Sequence, residues 1–316
     1  MADATSNDLA AALAEVLAAK VVTDVVRLSG GASRDTFRFM ADGRSLILQR
    51  QRSGDVRDMG IEALVVRAAG FAGAPVAQLV ASSGDASALG SAFMILTTVE
   101  GETIARKILR DEQFVHARQV LPAQLGAALA QVHAVATDGL TALPATDQVN
   151  QYREVLDQLG QPHPTFELVL KWLDANRPAA RPPVLVHGDF RLGNVIVGEE
   201  GLRAILDWEL AHLGDPMEDL GWLCVKAWRF GSHLPVAGVG EYDQLFSAYE
   251  AAGGGKVDPD VVCWWEVLGT LKWGIMCIGQ ANTHLIGAAR SHELAAIGRR
   301  VCENEFDLFL ALEGRW

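Results

Sequence analysis

The chain of 316 residues contains no uninterrupted apolar run of about 18 or more residues, so hydropathy gives no membrane-spanning helix. It opens Met-Ala-Asp-Ala-Thr-Ser-Asn-Asp, without the basic start and apolar stretch of a secretory leader, and neither end carries a lipidation signal. A soluble, cytoplasmic protein is therefore expected. The four cysteines, Cys224, Cys263, Cys277 and Cys302, form no C-x-x-C pair, which argues against a disulfide frame or a structural zinc site. They suit buried thiols in a reducing compartment. Positive charge is scarce: 27 Lys and Arg face 39 Asp and Glu, a net charge of −12 that argues against nucleic acid or an anionic membrane as partner. No internal repeat and no low-complexity linker appears.

Half of the residues are hydrophobic and 21% are charged, a globular composition, and the length suits two domains or one domain in two lobes. Over residues 24–50 short alternating apolar positions (Val26, Leu28, Phe37, Phe39, Leu46, Leu48) are separated by turn residues at Ser29-Gly30-Gly31 and Asp42-Gly43. This predicts three antiparallel strands, followed by a helix over 58–69 and two more strands over 75–80 and 93–99. After Gly101 the pattern turns to long helical segments at 105–120, 123–135, 151–159 and 164–176. A strand-like stretch at 184–207 interrupts them, and a final helical pattern covers 288–312. The expected architecture is α+β: a small antiparallel lobe with one helix, residues 1–100, then a larger, mostly helical lobe, residues 101–316, joined near 97–101.

The most informative stretch runs His187-Gly188-Asp189-Phe190-Arg191-Leu192-Gly193-Asn194-Val195-Ile196-Val197, followed beyond a Gly-Glu-Glu-Gly turn by Ile205-Leu206-Asp207-Trp208-Glu209. The turn folds one strand back on the other. With the hairpin centred between Glu199 and Glu200, Asn194 pairs close to Ile205, so Asn194 and Asp207 emerge at one end beside the loop carrying Asp189. An amide oxygen and a carboxylate converging there make a hard, oxygen-rich site for Mg²⁺. Asp189 is then free to orient and deprotonate a hydroxyl, the division of labour that phosphoryl transfer from ATP requires.

These motifs, HGDFRLGNVIV with LDWELAHLGDP, resemble those of the aminoglycoside phosphotransferase and choline kinase-like family, and most of all its acyl-CoA-dehydrogenase-associated branch. The resemblance implies a protein-kinase-like two-lobe fold. It makes Asp189 the catalytic base, gives Mg²⁺ to Asn194 and Asp207, and leaves Asp219 and His187 to brace the catalytic loop. Arg191 stands where a guanidinium faces the transferred phosphate, or else is a surface cation paired with an acid. His133 reads as a satisfied core histidine.

The first lobe is expected to hold the nucleotide. Gly30, Gly31 and Ser33 lie between two predicted strands, where backbone amides approach phosphates, although no Gly-Lys-Ser/Thr follows as in a P-loop. In the family, strand three carries a lysine that contacts phosphates and pairs with a helix glutamate. Here Gln49 stands at that position with Arg50 next to it on the opposite face of a regular strand, so either a local twist lets Arg50 substitute for the lysine or the chain relies more heavily on Mg²⁺ and Arg191, and Glu62 matches the glutamate. By resemblance Thr97, Thr98 and Val99 form the hinge that binds adenine through main-chain groups, with Ile47 over a ring face. Trp222, Trp228, Trp264, Trp265 and Trp273 read mostly as core, with one or two lining an acceptor pocket. Arg229, Lys272, Arg290, Arg299 and Arg300 either receive an anionic acceptor or are solvated.

The expected function is an ATP- and Mg²⁺-dependent kinase acting on a small-molecule hydroxyl, with a hydroxyacyl compound as the acceptor to which the resemblance points. The alternatives are an aminoglycoside or amino-alcohol kinase, a nucleotide-binding pseudokinase suggested by Gln49, and a metal-dependent hydrolase built on His187, Asp189, Asp207, Glu209 and His212.

Overall fold

A computed structural model describes residues 2–28, 34–52 and 58–315. The sequence expectation at Gly30, Gly31 and Ser33 lies outside the described residues. Strands β1 (Val22–Arg27), β2 (Arg34–Ala41), β3 (Arg44–Gln51), β4 (Leu79–Ser83) and β5 (Phe93–Thr97) form one antiparallel sheet in the order β1-β2-β3-β5-β4. The β2–β3 hairpin closes on Asp42 and Gly43, both at positive φ (47° and 79°), the turn conformation that twists with the strands. The Asp42 carboxylate also accepts the backbone N–H groups of Lys20 and Val21.

Alternation sorts the β3 side chains. Leu46 and Leu48 are buried on one face, and Ile47 and Gln49 fall on the other. The first face packs beneath a helix that the strand-centred sequence pattern did not bring out, α1 (Ala2–Leu17), whose Leu13 is fully buried among Phe39, Leu46, Leu48, Phe93 and Ile95. On the other side lies α2 (Met59–Phe71), capped by Asp58, which accepts N–H bonds from Gly60 and Ile61. Its buried positions Met59, Glu62, Ala63, Val66 and Ala69 follow the three-and-four spacing of one helix face.

The remainder is mostly helical. Helices α3 (Ala105–Arg110) and α4 (Val115–His133) replace the two expected segments: the break falls at Asp111, and α4 runs through Pro122. Helices α5 (Gln148–Leu159) and α6 (Pro164–Ala175) follow. Two short sheets come next: β6 (Val184–Val186) pairs with β9 (His212–Gly214), and β7 (Val195–Gly198) pairs with β8 (Gly201–Ile205). Gly198 lies opposite Gly201, so the turn is centred on Glu199 and Glu200 as expected, and Asn194 O accepts the Leu206 amide at 2.8 Å. Helices α7 (Met217–Cys224), α8 (Tyr242–Ala251), α9 (Pro259–Leu285), α10 (His292–Ile297) and α11 (Val301–Leu312) complete the chain, the expected final helix being divided by a short turn at Gly298–Arg300.

Among the described residues α9 alone is long and apolar enough to cross a membrane when hydropathy is averaged over a window, but 83% of that window is buried inside the protein, where it forms a core helix. Of the cysteines, all four are free; Cys224 and Cys277 are buried as expected, whereas Cys263 and Cys302 are exposed.

Candidate active site

Strand β6 delivers the His187–Asp189 loop, and a buried carboxylate holds it in place. Asp219, in the first turn of α7, accepts the His187 amide at 2.8 Å and the Gly188 amide at 2.9 Å, and lies 3.1 Å from His133 Nε2, whose other nitrogen is 2.8 Å from the Tyr249 hydroxyl. Burial alone would raise the Asp219 carboxyl, yet the contact with His133 and the hydrogen bond from the His187 amide hold it below its ordinary range, so it stays charged. Gly188 has φ +79°, and a Cβ there would collide with Leu210 O. Glycine is the residue that takes this bend without a clash.

His187 is fully buried, and burial lowers its pKa, so the ring is neutral. Its Nε2 donates to Leu206 O at 2.9 Å and its Nδ1 accepts the Asp189 amide at 3.2 Å, tying the Asp189 loop to the Asp207 loop. Both nitrogens are therefore occupied, as are those of His212, which face Leu210 O and Glu218 at 2.9 Å. Among the described residues no group of three or more His, Cys, Asp or Glu converges as a metal cage. With both histidines engaged, the hydrolase alternative has no imidazole ligand to offer.

Three side chains orient Asp189. Its Oδ1 accepts from Trp222 Nε1 at 2.8 Å and Arg191 Nε at 3.1 Å, and its Oδ2 accepts from Asn194 Nδ2 at 2.6 Å. The guanidinium of Arg191 stacks over Trp228, 4.8 Å from the ring centroid. Because both Asn194 Nδ2 contacts are to acceptors, Asp189 Oδ2 and Asp189 O, the amide orientation is settled and Oδ1 is the oxygen that remains. Beside it Asp207 adopts φ +62°, a backbone state uncommon outside glycine but accessible to Asp and Asn. Burial, then the charges of Glu209 and Asp189, push its carboxyl up to about 6 against the pull of Arg34 and Arg191. A half-buried carboxylate short of positive charge, next to an amide oxygen that makes no hydrogen bond among the described residues, is a donor set that fits Mg²⁺.

The partner of Glu62 is a residue that the sequence reading did not single out. Arg34, on β2, is 6% exposed and meets both Glu62 oxygens, Nη1 to Oε1 at 2.6 Å and Nη2 to Oε2 at 2.5 Å. Gln49 Oε1 accepts from Arg34 Nη1 at 3.2 Å, and Glu209 lies 3.4 Å from Nη2. Arg50 does not replace the lysine. It lies on the opposite face, 3.9 Å from Asp35 and over the Phe37 ring, with Nη1 donating to Leu89 O. The strand remains regular, so adjacent residues point apart. Ile47 shares the Gln49 face. At the end of β5 the Thr97 hydroxyl accepts the Gln78 amide and Thr98 N donates to Ser45 O, while the Val99 amide makes no hydrogen bond among the described residues.

A cavity of about 300 Å³ opens between α2, α5 and α9, with Glu62, Gln148, Tyr152, Trp208, Glu209 and Lys272 in its wall. Trp222, Trp228 and Trp273 pack in a row of mutually tilted rings that reaches Asp189 and Arg191, whereas Trp264 belongs to the core between α6 and α9. Of the cations named from sequence, Arg229 is buried against Glu266 and Arg300 pairs with Glu303; Lys272 alone among the five lines this cavity.

Residues 24–259 match the model of the phosphotransferase enzyme family. The acyl-CoA dehydrogenase family member 11 of Gallus gallus is 26% identical over 320 residues, covering 90% of this chain and 40% of that protein. The chain thus spans less than half the length of such relatives. A crystal structure from Ralstonia eutropha, of a protein provisionally named an aminoglycoside phosphotransferase, superposes with a TM-score of 0.73 at 21% identity, covering 92% of each chain. The spectinomycin phosphotransferase crystallised with ADP and spectinomycin gives 0.64 at 14% identity, over 96% of this chain and 98% of that one. The fold is that of the protein-kinase-like phosphotransferases.

Proposed function

The chain belongs to the phosphotransferase enzyme family, and we propose that it transfers the γ-phosphate of ATP to a hydroxyl of a small hydroxyacyl compound with the help of Mg²⁺. The observation that carries this reading is the meeting of Asp189, Asn194 and Asp207 at one end of the β7–β8 hairpin, with Arg191 beside them. In this reading the acceptor hydroxyl donates a hydrogen bond to Asp189, which takes its proton as the oxygen attacks the γ-phosphorus and the bond to the β-phosphate oxygen breaks. Arg191 turns from Asp189 toward the equatorial oxygens. Asn194 and Asp207 hold the Mg²⁺, which supplies neutralisation of phosphate charge when bound. Arg34, held by Glu62, takes over the phosphate contact that a strand lysine makes elsewhere in the family. Adenine lies against the Val99 amide and Ile47, with the hinge at residues 97–101 dividing lobes 1–100 and 101–316.

The relatives named for acyl-CoA dehydrogenation support an acyl acceptor. Against a pseudokinase stands Arg34, which restores the charge that Gln49 lacks. The test is product formation from [γ-³²P]ATP and Mg²⁺ across hydroxyacyl compounds, aminoglycosides and amino alcohols, with Asp189→Asn as the control. Labelled hydroxyacyl product, lost in the variant while nucleotide binding persists, is the expected result. Labelling of aminoglycosides or amino alcohols alone would move the acceptor to those classes, and full activity of Asp189→Asn would remove the catalytic assignment.

A further inference from the structure

The phosphotransferase machinery leaves one buried cation next to Asp189 without a full set of partners. Lys272, on α9, is 5% exposed and lines the cavity. An ammonium carries three donors. One is used by Gly188 O at 3.3 Å, the residue before Asp189, and the nearest carboxylate oxygen, Glu218 Oε1, is 3.8 Å away, beyond hydrogen-bond range. The ammonium sits 4.6 Å from the centre of the Trp222 ring, and the indole N–H of that ring donates to Asp189. Lys272 and the catalytic carboxylate are thus separated by one indole.

The neighbouring charges leave the floor of the cavity positive. Glu218 Oε2 is 2.9 Å from His212 Nε2, and Glu218 Oε1 makes no hydrogen bond. His212 Nδ1 faces Leu210 O at 2.9 Å, and its Nε2 faces both Glu218 Oε2 at 2.9 Å and the Gln148 side-chain amide at 3.2 Å; burial works against the charged ring, but the hydrogen bond and charge of Glu218 raise its pKa and favour it. Lys272 and His212 therefore share one carboxylate. The acids on the opposite wall are engaged: Glu62 and Glu209 with Arg34, and Asp58 as the cap of α2. A neutral or cationic acceptor would leave the spare ammonium donors unpaired, at a cost in free energy, whereas an anionic oxygen group would satisfy them.

We propose that Lys272 binds a carboxylate of the acceptor, so that the substrate is a hydroxy acid, its hydroxyl at Asp189 and its carboxylate at the floor formed by Lys272 and His212. This rests on the phosphotransferase reading of the same site. The test compares ω-hydroxy carboxylates of graded chain length with their methyl esters, the matching diols and the matching amino alcohols, both as acceptors with ATP and Mg²⁺ and as ligands by calorimetry. The free acids are expected to be preferred. In Lys272→Met, KM and Kd for the acids should rise on the order of tenfold to a hundredfold, the range of a charge-assisted hydrogen bond. Diols should lose far less, only what the hydrogen bond to Gly188 O contributes to every acceptor, so that the preference for acids over diols collapses; values for ATP should stay unchanged, and Lys272→Arg should keep most of the preference. An unchanged KM for ATP reports an intact fold. The assignment is overturned if acids show no preference over esters and diols in binding, or if Lys272→Met weakens acids and diols alike. A failure of the kinase reading is distinguishable, because it appears as absence of phosphorylated product while calorimetry still reads the carboxylate preference.

Discussion

The guanidinium of Arg34 on β2 and the carboxylate of Glu62 on α2 meet edge to edge, with both Nη atoms within 2.6 Å of a carboxylate oxygen and both side chains more than nine-tenths buried. Strand register explains how a residue on β2 arrives there. Thr36 pairs with Gln49 and Arg34 with Gln51, so Arg34 lies diagonally across from Gln49 on the same face of the sheet. Arg34→Gln should leave Glu62 buried without its cation, lowering stability by about 3–5 kcal/mol in urea unfolding and raising KM for ATP. Adding Gln49→Lys to that variant places a cation within reach of Glu62 from the neighbouring strand. It should recover most of both losses; a double variant no better than Arg34→Gln would refute the exchange of roles.

How much of this was legible in the sequence depended on how far apart the partners lie in the chain. Asn194 and Asp207 flank one hairpin and Asp189 lies five residues before Asn194, so turn chemistry and spacing were enough to read the three as neighbours, with Asn194 opposite Leu206, one residue from the expected partner. Arg34 and Glu62 are on separate elements, and only the β2–β3 register reveals that they face each other. Trp222 was hidden differently: within the apolar α7 it reads as core, and it is buried as core, but its single N–H is aimed at Asp189. Periodicity reports which face of a helix is buried and carries no information about where one polar atom on that face points. Helix α1 went unread because its alanine-rich face gives a weak pattern until Leu13 is seen under the sheet.

Gly188 is a point where backbone shape and chemistry coincide. A side chain there must enter a positive-φ state and displace Leu210 O, and the two peptides flanking Gly188 donate to Asp219 and accept from Lys272. Gly188→Ala should cost about 1–3 kcal/mol for the backbone state alone, with further loss from crowding. Thermal unfolding should register the destabilisation, and ATP-dependent turnover should fall further than stability does, because the displaced peptide carries Asp189. Turnover retained in a destabilised variant would show that the loop tolerates the shift.

Trp222→Phe keeps the ring under Lys272 and removes one of the three hydrogen bonds on Asp189. A hydrogen bond to a charged group is worth about 1.5–3 kcal/mol. If that energy holds Asp189 in position for the hydroxyl, kcat should fall roughly tenfold to a hundredfold, with KM for ATP unchanged. An unaltered kcat would leave Arg191 and Asn194 as sufficient supports.

Asp207 sets the chain's need for a cation against its stability. Its carboxyl, ordinarily near 3.8, is pushed up to about 6, first by burial and then by Glu209 and Asp189. Between those values the folded chain keeps a proton that the unfolded chain has released, so the contribution of this group to stability is complete below 3.8 and is lost as pH rises through 6. At pH 8 in a metal-free buffer, charged Asp207 should therefore cost up to about 3 kcal/mol, each pH unit across that interval being worth ~1.4 kcal/mol. Asp207→Asn removes the charge without adding backbone strain, since Asn accepts the same positive φ. The variant should melt higher than the parent at pH 8 in EDTA, with the difference shrinking toward pH 4, and should lose Mg²⁺-dependent turnover. Mg²⁺ with nucleotide should raise the melting temperature of the parent and leave the variant nearly unmoved, because the cation replaces the proton only where a carboxylate awaits it. A variant less stable than the parent at pH 8 in EDTA would mean that Arg34 and Arg191 already neutralise Asp207 and that the site has no charge left for a metal to answer.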